Sequence, residues 1–422
     1  MNDQPIVIVG GGLAGVSTLY ALVSRGLPAR LLEAGDDLAV GASFANGGML
    51  TSSMPDPWNG PGVGKHLVSS LFDSGAAMKL HWHMIPNLVF WGLKFLRNST
   101  PKRHEEAIAA NYALSALSVE KTAELVEDLD MISFASPSGV IKVFEDEVAH
   151  TVQSRNAALL EDQGLRFEEL SRERLIALEP NLARVADRFV GAIHFPDDRS
   201  GDAHAFCQAL AQRAQQLGAE IALNTPVKRL VKKQGRVIGV ETRNGIMTAQ
   251  NVVLCAGQHS PDLMKSVSLS LPIKPAKGYS VTFDVSQWND RPRIPVVDDA
   301  MHAAVTPMGD QLRVVGTAEF AGRDPAISKP RIDNLRAMFT RLYPDLADKA
   351  QNASSKAWAG FRPMSADGRP FIGESAVPGL WLNTGHGHLG WTMATGSAEL
   401  LASLMIGERP ALNPLPYSPI GR

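Results

Sequence analysis

Three features of the sequence predict an α/β protein of two interleaved domains, the second of α+β type. The chain opens on a strand, a glycine-rich turn and a helix. It returns twice, far downstream, to buried strands that run into glycines. Between those returns lie a long helical stretch and two blocks of β pattern. A chain of 422 residues is also too long for one simple core.

Residues 5–9, PIVIV, read as a buried parallel strand. GGGLAG follows, then VSTLYALVSRG, which has helical spacing and stops on Gly26. ARLLEAG is a second strand that closes on Glu33. Residues 51–135 begin with prolines and continue as a mostly helical region. A strand is expected at 138–144 and a helix at 147–163. GAIHFPDDRSGD reads as strand and turn, and AHAFCQALAQRAQQLGA as a helix. Strands follow to residue 257, with Gly235 and an Asn-Gly pair as turn signals. Residues 272–318 form a second β-rich block. A helix in RIDNLRAMFTRLYP stops at Pro344, and the tail is strand, glycine turn and helix.

Composition excludes several classes. Charged residues make up 20% and the net charge is −2, which gives no basic surface for nucleic acid. Cys207 and Cys255 are far apart and lie in no His/Cys cluster, so they read as reduced core thiols, with no disulfide or metal site. The first strand is not expected to be a signal peptide, because its flank carries Asp3 and its apolar run is short. No 18-residue uncharged run is present, so no spanning helix is expected. Residues 66–96 are rich in Leu, Phe, Trp and Met. They read either as helices in a core or as a surface that dips into a bilayer.

Gly10-x-Gly12-x-x-Gly15 carries the first chemistry. Gly10 allows a tight turn, Gly12 lets a pyrophosphate approach the backbone, and Gly15 lets helix and strand pack closely. Leu13 and Ala14 open the helix whose N-terminus would receive the anion. Glu33, beside Ala34, falls where a carboxylate accepts from ribose hydroxyls and repels a 2′-phosphate. This Rossmann-like context fits NAD or FAD. Two later segments favour FAD. VVLCAGQHS brings a strand into Ala256-Gly257. NTGHGHLGWTMATGS places a second helix start after Gly387 and Gly390. A helix N-terminus there would stabilise the negative charge that collects on a reduced flavin. His386 and His388 read equally as ordinary polar residues of that turn.

GGGLAG…LLEAG, GASFANGGMLT, GDAHAFCQALA, CAGQHS, KGYSVTF, GFRPMSADGRPFIG and LWLNTGHGHLGWTMATGS resemble, in order and over nearly the whole chain, bacterial FAD-dependent D-amino-acid dehydrogenases. More broadly the chain is similar to the family of D-amino-acid oxidase, glycine oxidase and sarcosine oxidase. The resemblance implies a Rossmann-like FAD-binding domain in segments 1–50, 200–265 and 360–422. It implies a substrate-binding domain, a mixed, largely antiparallel sheet plus helices, in 51–199 and 266–359.

It also implies residue roles. Gly10, Gly12, Gly15 and Glu33 would hold the ADP half, and Val227 would meet the adenine. Ser43, Asn46 and Gly48 would lie near the pyrophosphate and flavin. Gly387, His388, Gly390, Trp391 and Thr392 would line the isoalloxazine. Arg362 would receive the substrate carboxylate, with Tyr279 sharing it. No cysteine follows Cys255 and the early loop has no histidine, so FAD is expected to be non-covalent.

The residues alone leave alternatives. Arg362 could pair with Asp367 or Glu319, and Tyr279 could be a core residue of its strand. The expected activity is hydride transfer from Cα of a D-amino acid to the flavin, giving an imino acid that hydrolyses to 2-oxo acid and ammonia. Electrons would pass to a quinone or another acceptor, in a cytoplasmic protein or one on the cytoplasmic face of the inner membrane. A D-proline or D-hydroxyproline dehydrogenase, an O2-using oxidase and a flavin-binding subunit or sensor without turnover are the alternatives.

Overall fold

The computed structural model describes residues 4–64, 78–130 and 139–422. The expectation for 66–96 therefore falls partly outside the described residues. Two sheets organise the chain. The first runs, edge to edge, Phe371–Glu374, Leu380–Thr384, Val252–Leu254, Ile6–Val9, Ala29–Leu32 and Glu220–Ala222. Its neighbours are parallel except for the terminal hairpin that pairs Phe371–Glu374 with Leu380–Thr384. Every residue of Ile6–Val9 is buried, as expected for a strand covered on both faces. Helices Leu13–Val23, Ala203–Gln216 and Gly390–Ile406 share one core with it.

The second sheet has nine strands and is largely antiparallel. Its long members are Ser355–Ser365, Ile273–Asp284 and Gln311–Phe320, side by side. The period of two divides its faces. Tyr279, Val281 and Phe283 join the core under helix Lys329–Leu342, where Leu335 and Phe339 are fully buried. The alternate side chains point toward the first sheet. Ser280 Oγ donates to the Ala45 carbonyl at 2.8 Å and Thr306 Oγ1 to the Gly47 carbonyl at 2.8 Å. Arg313 Nη1 donates to the Asn46 carbonyl at 3.2 Å. The 45–47 loop is thereby fixed between the two sheets.

Two expected boundaries move. Ser355–Ser365 pairs along its whole length with Ile273–Asp284, so residue 360 lies inside a strand of the second sheet, with no break there. Helix Pro101–Asp128 serves both sheets: Tyr112 packs on Phe144 and Phe195 of the second, while another side faces the first. Its Ala110, Leu114 and Val119 lie in the core of the first unit. Ser118 and Thr122 bond Thr395 Oγ1 at 2.8 and 2.7 Å. Gly396 permits that approach, since a Cβ there would sit 2.8 Å from that of Ser118. Apolar content alone could not say which sheet this helix covers. Among the described residues no helix is long and apolar enough to cross a membrane.

Candidate active site

A cavity of 1430 Å³ runs between the two sheets, larger than the few hundred to about 1,000 Å³ of a usual single-ligand pocket. Gly10, Gly12, Leu13, Ala14, Glu33, Ala34, Ser43, Asn46 and Val227 border one end. Gly10 has φ +110°, and a Cβ there would lie 2.6 Å from the Cys255 carbonyl oxygen. Gly15 does not border the cavity. A Cβ on it would run into the Gly10 carbonyl, so its role is close packing of helix against strand. Glu33 holds the loop from below. Its carboxylate accepts from the Gly11 N–H at 2.5 Å and the Gly35 N–H at 2.8 Å. Ser43 Oγ accepts from the Leu13 N–H at 3.2 Å, at the helix start.

Gly48 is a correction. Gly47 borders the cavity in its place. Gly48 takes φ +66° in a turn closed by its N–H on Asn46 Oδ1, with Met308 packed against it. Its conformation serves the turn.

Ala256, with Gly257 after it, lies beside Gly10, where a Cβ would come within 3.1 Å of the Ala256 α-carbon, and Gly387, His388, Gly390, Trp391 and Thr392 border the cavity where the last helix begins. Helix Gly390–Ile406 begins here, after a tight turn at Gly387–Leu389. Thr392 Oγ1 accepts from the Thr51 N–H at 3.2 Å. The Trp391 ring is only 4% exposed and packs on Phe206, with centroids 5.0 Å apart. Its ring is core, and the aromatic faces of this end come from Trp58 and Trp358. Neither indole has a distinctive spacing in the chain.

Both histidines of the turn are held neutral. Burial pulls His386 down to about 4. Its Nε2 lies 3.1 Å from Ser397 Oγ, whose hydroxyl is spent on the Ala394 carbonyl, so Nε2 carries the proton. His388 is exposed and borders the cavity. Desolvation by the protein around it, and then the nearby Arg362 charge, pull it down to about 3.

Arg362 is set deep in this end, with its guanidinium 5.6 Å from the centre of the Trp58 ring, and Trp58 in turn stacks on His388 at 5.5 Å. Burial lowers Arg362 to about 10, so it stays charged at neutral pH. Among the described residues its one hydrogen bond is long, from Nη1 to the Thr317 carbonyl at 3.4 Å. Neither alternative partner is free. Asp367 is taken by Arg422 at 2.5 and 2.7 Å and by Arg369 at 3.1 Å. Glu319 lies on the far face of the sheet. Among the described residues no carboxylate pairs with Arg362.

Tyr279 borders the cavity beside Gly278, but its side chain points the other way. It is 1% exposed, and its hydroxyl donates to Glu319. Its ring sits among Val281, Phe283 and the helix behind the sheet. Arg362 pairs in register with Ala276, whose side chain points to the opposite face. Alternation therefore separates the two groups that the resemblance joined. Burial and the Glu319 charge both raise the tyrosine's pKa. Burial would raise Glu319, but hydrogen bonds from Tyr279 and His81 and the charge of Arg331 hold it below the usual range.

Two residues missed in the sequence complete the clamp. Gly278 leaves room for the guanidinium. Thr317 forms a β-bulge opposite Gly278/Tyr279, with φ +56°. A β-branched residue in that region is a true outlier, and it turns the Thr317 carbonyl toward Arg362. Among the described residues no group of three His, Cys, Asp or Glu could hold a metal.

The chain's relatives fit this geometry. D-amino acid dehydrogenases of Chromohalobacter salexigens and Vibrio vulnificus are each 33% identical, covering 97% and 96% of this chain and the same shares of their own. That of Bradyrhizobium diazoefficiens is 34% identical, covering 97% of this chain and 96% of its own. Among solved structures, glycine oxidase from Geobacillus kaustophilus superposes with TM-score 0.78 at 23% identity, covering 99% of both chains. L-proline dehydrogenase from P. horikoshii superposes with TM-score 0.79 at 19% identity, covering 99% of this chain and 96% of its own. Those two share the fold. From residue 5 to residue 404, strand, glycine turn and clamp strand included, the sequence matches the DAO pattern, and the chain belongs to this family of FAD dependent oxidoreductases.

Proposed function

We propose that the chain is an FAD-dependent dehydrogenase that oxidises a D-amino acid to its imino acid, which water converts to a 2-oxo acid and ammonia. The observation that carries the reading is Arg362, a half-buried cation with no carboxylate partner among the described residues, at the end of the cavity where a second helix begins. The relatives named D-amino acid dehydrogenase support the substrate class.

FAD, held non-covalently by Gly10, Gly12, Glu33, Ser43 and the 387–392 turn, would supply the hydride acceptor. The chain's residues do the rest. The Arg362 fork takes the carboxylate through two parallel hydrogen bonds and so fixes Cα. Trp58 and Trp358 exclude water from the pair. A dry site with a fixed cation beside it disfavours an ammonium, so the substrate amine reacts neutral without a dedicated base. His388, held neutral, adds no second positive charge to this pocket.

The electrons pass to a quinone or another lipophilic acceptor, and the protein works at a membrane face on the cytoplasmic side. The apolar outer surface of helix Ile85–Arg97 supports this reading. A survey of D- and L-amino acids under anaerobic conditions tests the activity by bleaching of the flavin absorbance. Bleaching by D-amino acids is the expected result, and no bleaching by any amino acid overturns it. Reoxidation faster with a quinone analogue than with air supports the acceptor. The opposite order would make the protein an oxidase.

A further inference from the structure

We propose that the outer face of helix Ile85–Arg97 docks on a bilayer that contains anionic lipid. This deepens the acceptor reading above and rests on it only for where the acceptor resides. The helix has two apolar faces. Leu88, Trp91 and Phe95 are buried against Ala276, Phe320, Met364 and Ala366. Val89, Phe90, Leu93 and Leu96 are exposed, Phe90 by 84% and Leu93 by 62%, and fall on one arc at helical spacing. Trp82, just ahead of the helix, is 58% exposed. A contiguous apolar face of this kind on a water-soluble surface marks an interaction site.

Charge chooses the partner. From residue 78 to residue 104 there are five cations, Lys79, Lys94, Arg97, Lys102 and Arg103, and no Asp or Glu. Lys94, Arg97 and Lys102 are exposed around the apolar arc. A second copy meeting this face through a two-fold axis would set Lys94 and Arg97 against their equals with no acid on the helix itself to answer them, the nearest being Glu105 and Glu106 on the next helix. An anionic bilayer answers both features. Phe and Leu enter the acyl boundary, Lys and Arg reach the headgroups, and the tryptophan sits at the interface.

The inner face then explains why this helix is the one that docks. Trp91 Nε1 donates to the Met364 carbonyl at 3.0 Å, and Met364 pairs with His386 across a β-bridge. Trp58, which borders the cavity, packs on the same cluster. The lipid surface would thus lie one helix away from the end of the cavity that holds Arg362, His388 and the 387–392 turn.

The test is cosedimentation of the full-length holoenzyme with phosphatidylcholine vesicles, with and without phosphatidylglycerol. Expected is binding that needs phosphatidylglycerol and falls with salt. Phe90→Ser with Leu93→Ser should weaken partition at least about tenfold. Lys94→Gln with Arg97→Gln should weaken it by about tenfold on phosphatidylglycerol vesicles. Both variants should keep FAD content, melting temperature and D-amino-acid-dependent reduction of a water-soluble dye. Dye reduction reads the proposed activity and sedimentation reads the docking, so one can fail without the other. Wild-type protein that binds neither vesicle overturns the proposal, as do variants that bind like wild type. A dimer that Phe90→Ser with Leu93→Ser converts to monomer, with vesicle binding unchanged, also overturns it.

Discussion

The guanidinium of Arg362 lies over the α-carbon of Gly278 on the neighbouring strand, where a Cβ would come within 2.5 Å of its Cζ. The atom in the way is the far end of a flexible side chain, so the fold can yield cheaply and the clamp cannot. Gly278→Ala should keep FAD and lose no more than about 1 kcal/mol of stability. A misplacement of about 1 Å at such a clamp costs about 100-fold in rate. Steady-state kinetics should show kcat/KM down by roughly 10- to 100-fold, mostly through KM, and unchanged kinetics would remove Gly278 from the clamp.

Arg362→Ala should lower kcat/KM by roughly 100- to 1,000-fold, as expected for one partner of a desolvated charge pair, with FAD retained. Arg362→Lys should recover little of it, because an ammonium is a point charge and cannot present the parallel fork. In the Arg362→Ala background, Gly278→Ala should add almost nothing, since the group it displaces is gone. Additive losses across that cycle would show that Gly278 acts through something other than Arg362.

Tyr279 borders the cavity, but its ring and hydroxyl lie on the other side of the sheet from Arg362. Tyr279→Phe removes the hydroxyl that donates to Glu319 and leaves that buried carboxylate with fewer partners. The expected effect is a loss of roughly 1–3 kcal/mol in stability, with KM unchanged. A denaturant titration beside KM for one good substrate decides it. A large KM effect with normal stability would return Tyr279 to the substrate.

What was legible and what was not differ in physical kind. Gly10, Gly12, Gly15 and Glu33 are read from local spacing, because the turn, strand and helix that use them are contiguous in the chain. Arg362 stood out for its apolar neighbours Trp358, Phe361 and Pro363. Gly278 and Thr317 could not be found that way. Their roles come from pairing of Ile273–Asp284 with two distant strands and from a bulge that shifts register between Gly278 and Tyr279. Tyr279 was misplaced for a related reason. It is adjacent to Gly278 in KGYS, but neighbours in a strand face opposite ways. Position in the chain puts helix Pro101–Asp128 with the second sheet, which Tyr112 meets, and does not show that Ser118 and Thr122 also bind it to Thr395.

His386 predicts an acid limit. Its ordinary value is 6.5, and burial lowers it to about 4 in the folded chain. As pH falls below 6.5 the unfolded chain takes up this proton first. The stability from neutral His386 is therefore full above pH 6.5 and drains until about pH 4, by roughly 3 kcal/mol in all. Melting temperatures from pH 7 to pH 4 should fall less steeply for His386→Gln, whose amide cannot titrate and still reaches Ser397. Parallel curves for the two proteins would mean that His386 is not held neutral.

Glu33 tests how the nucleotide loop is held. Its two carboxylate oxygens accept from Gly11 and Gly35, one backbone N–H each. Glu33→Gln keeps the size and offers a single acceptor oxygen, with an NH2 in place of the other. One N–H then faces a donor. If it is that of Gly11, the loop loses the bond that fixes it against the helix start. An unmet N–H of this kind costs roughly 1–3 kcal/mol, which corresponds to about a tenfold or greater loss in FAD affinity if the loop must be reordered on binding. Flavin fluorescence titration of apoprotein gives the affinity directly. KM for the amino acid should be unchanged at saturating FAD, because the Arg362 end of the cavity is untouched. A variant that binds FAD like wild type would show that the loop holds its shape without the carboxylate.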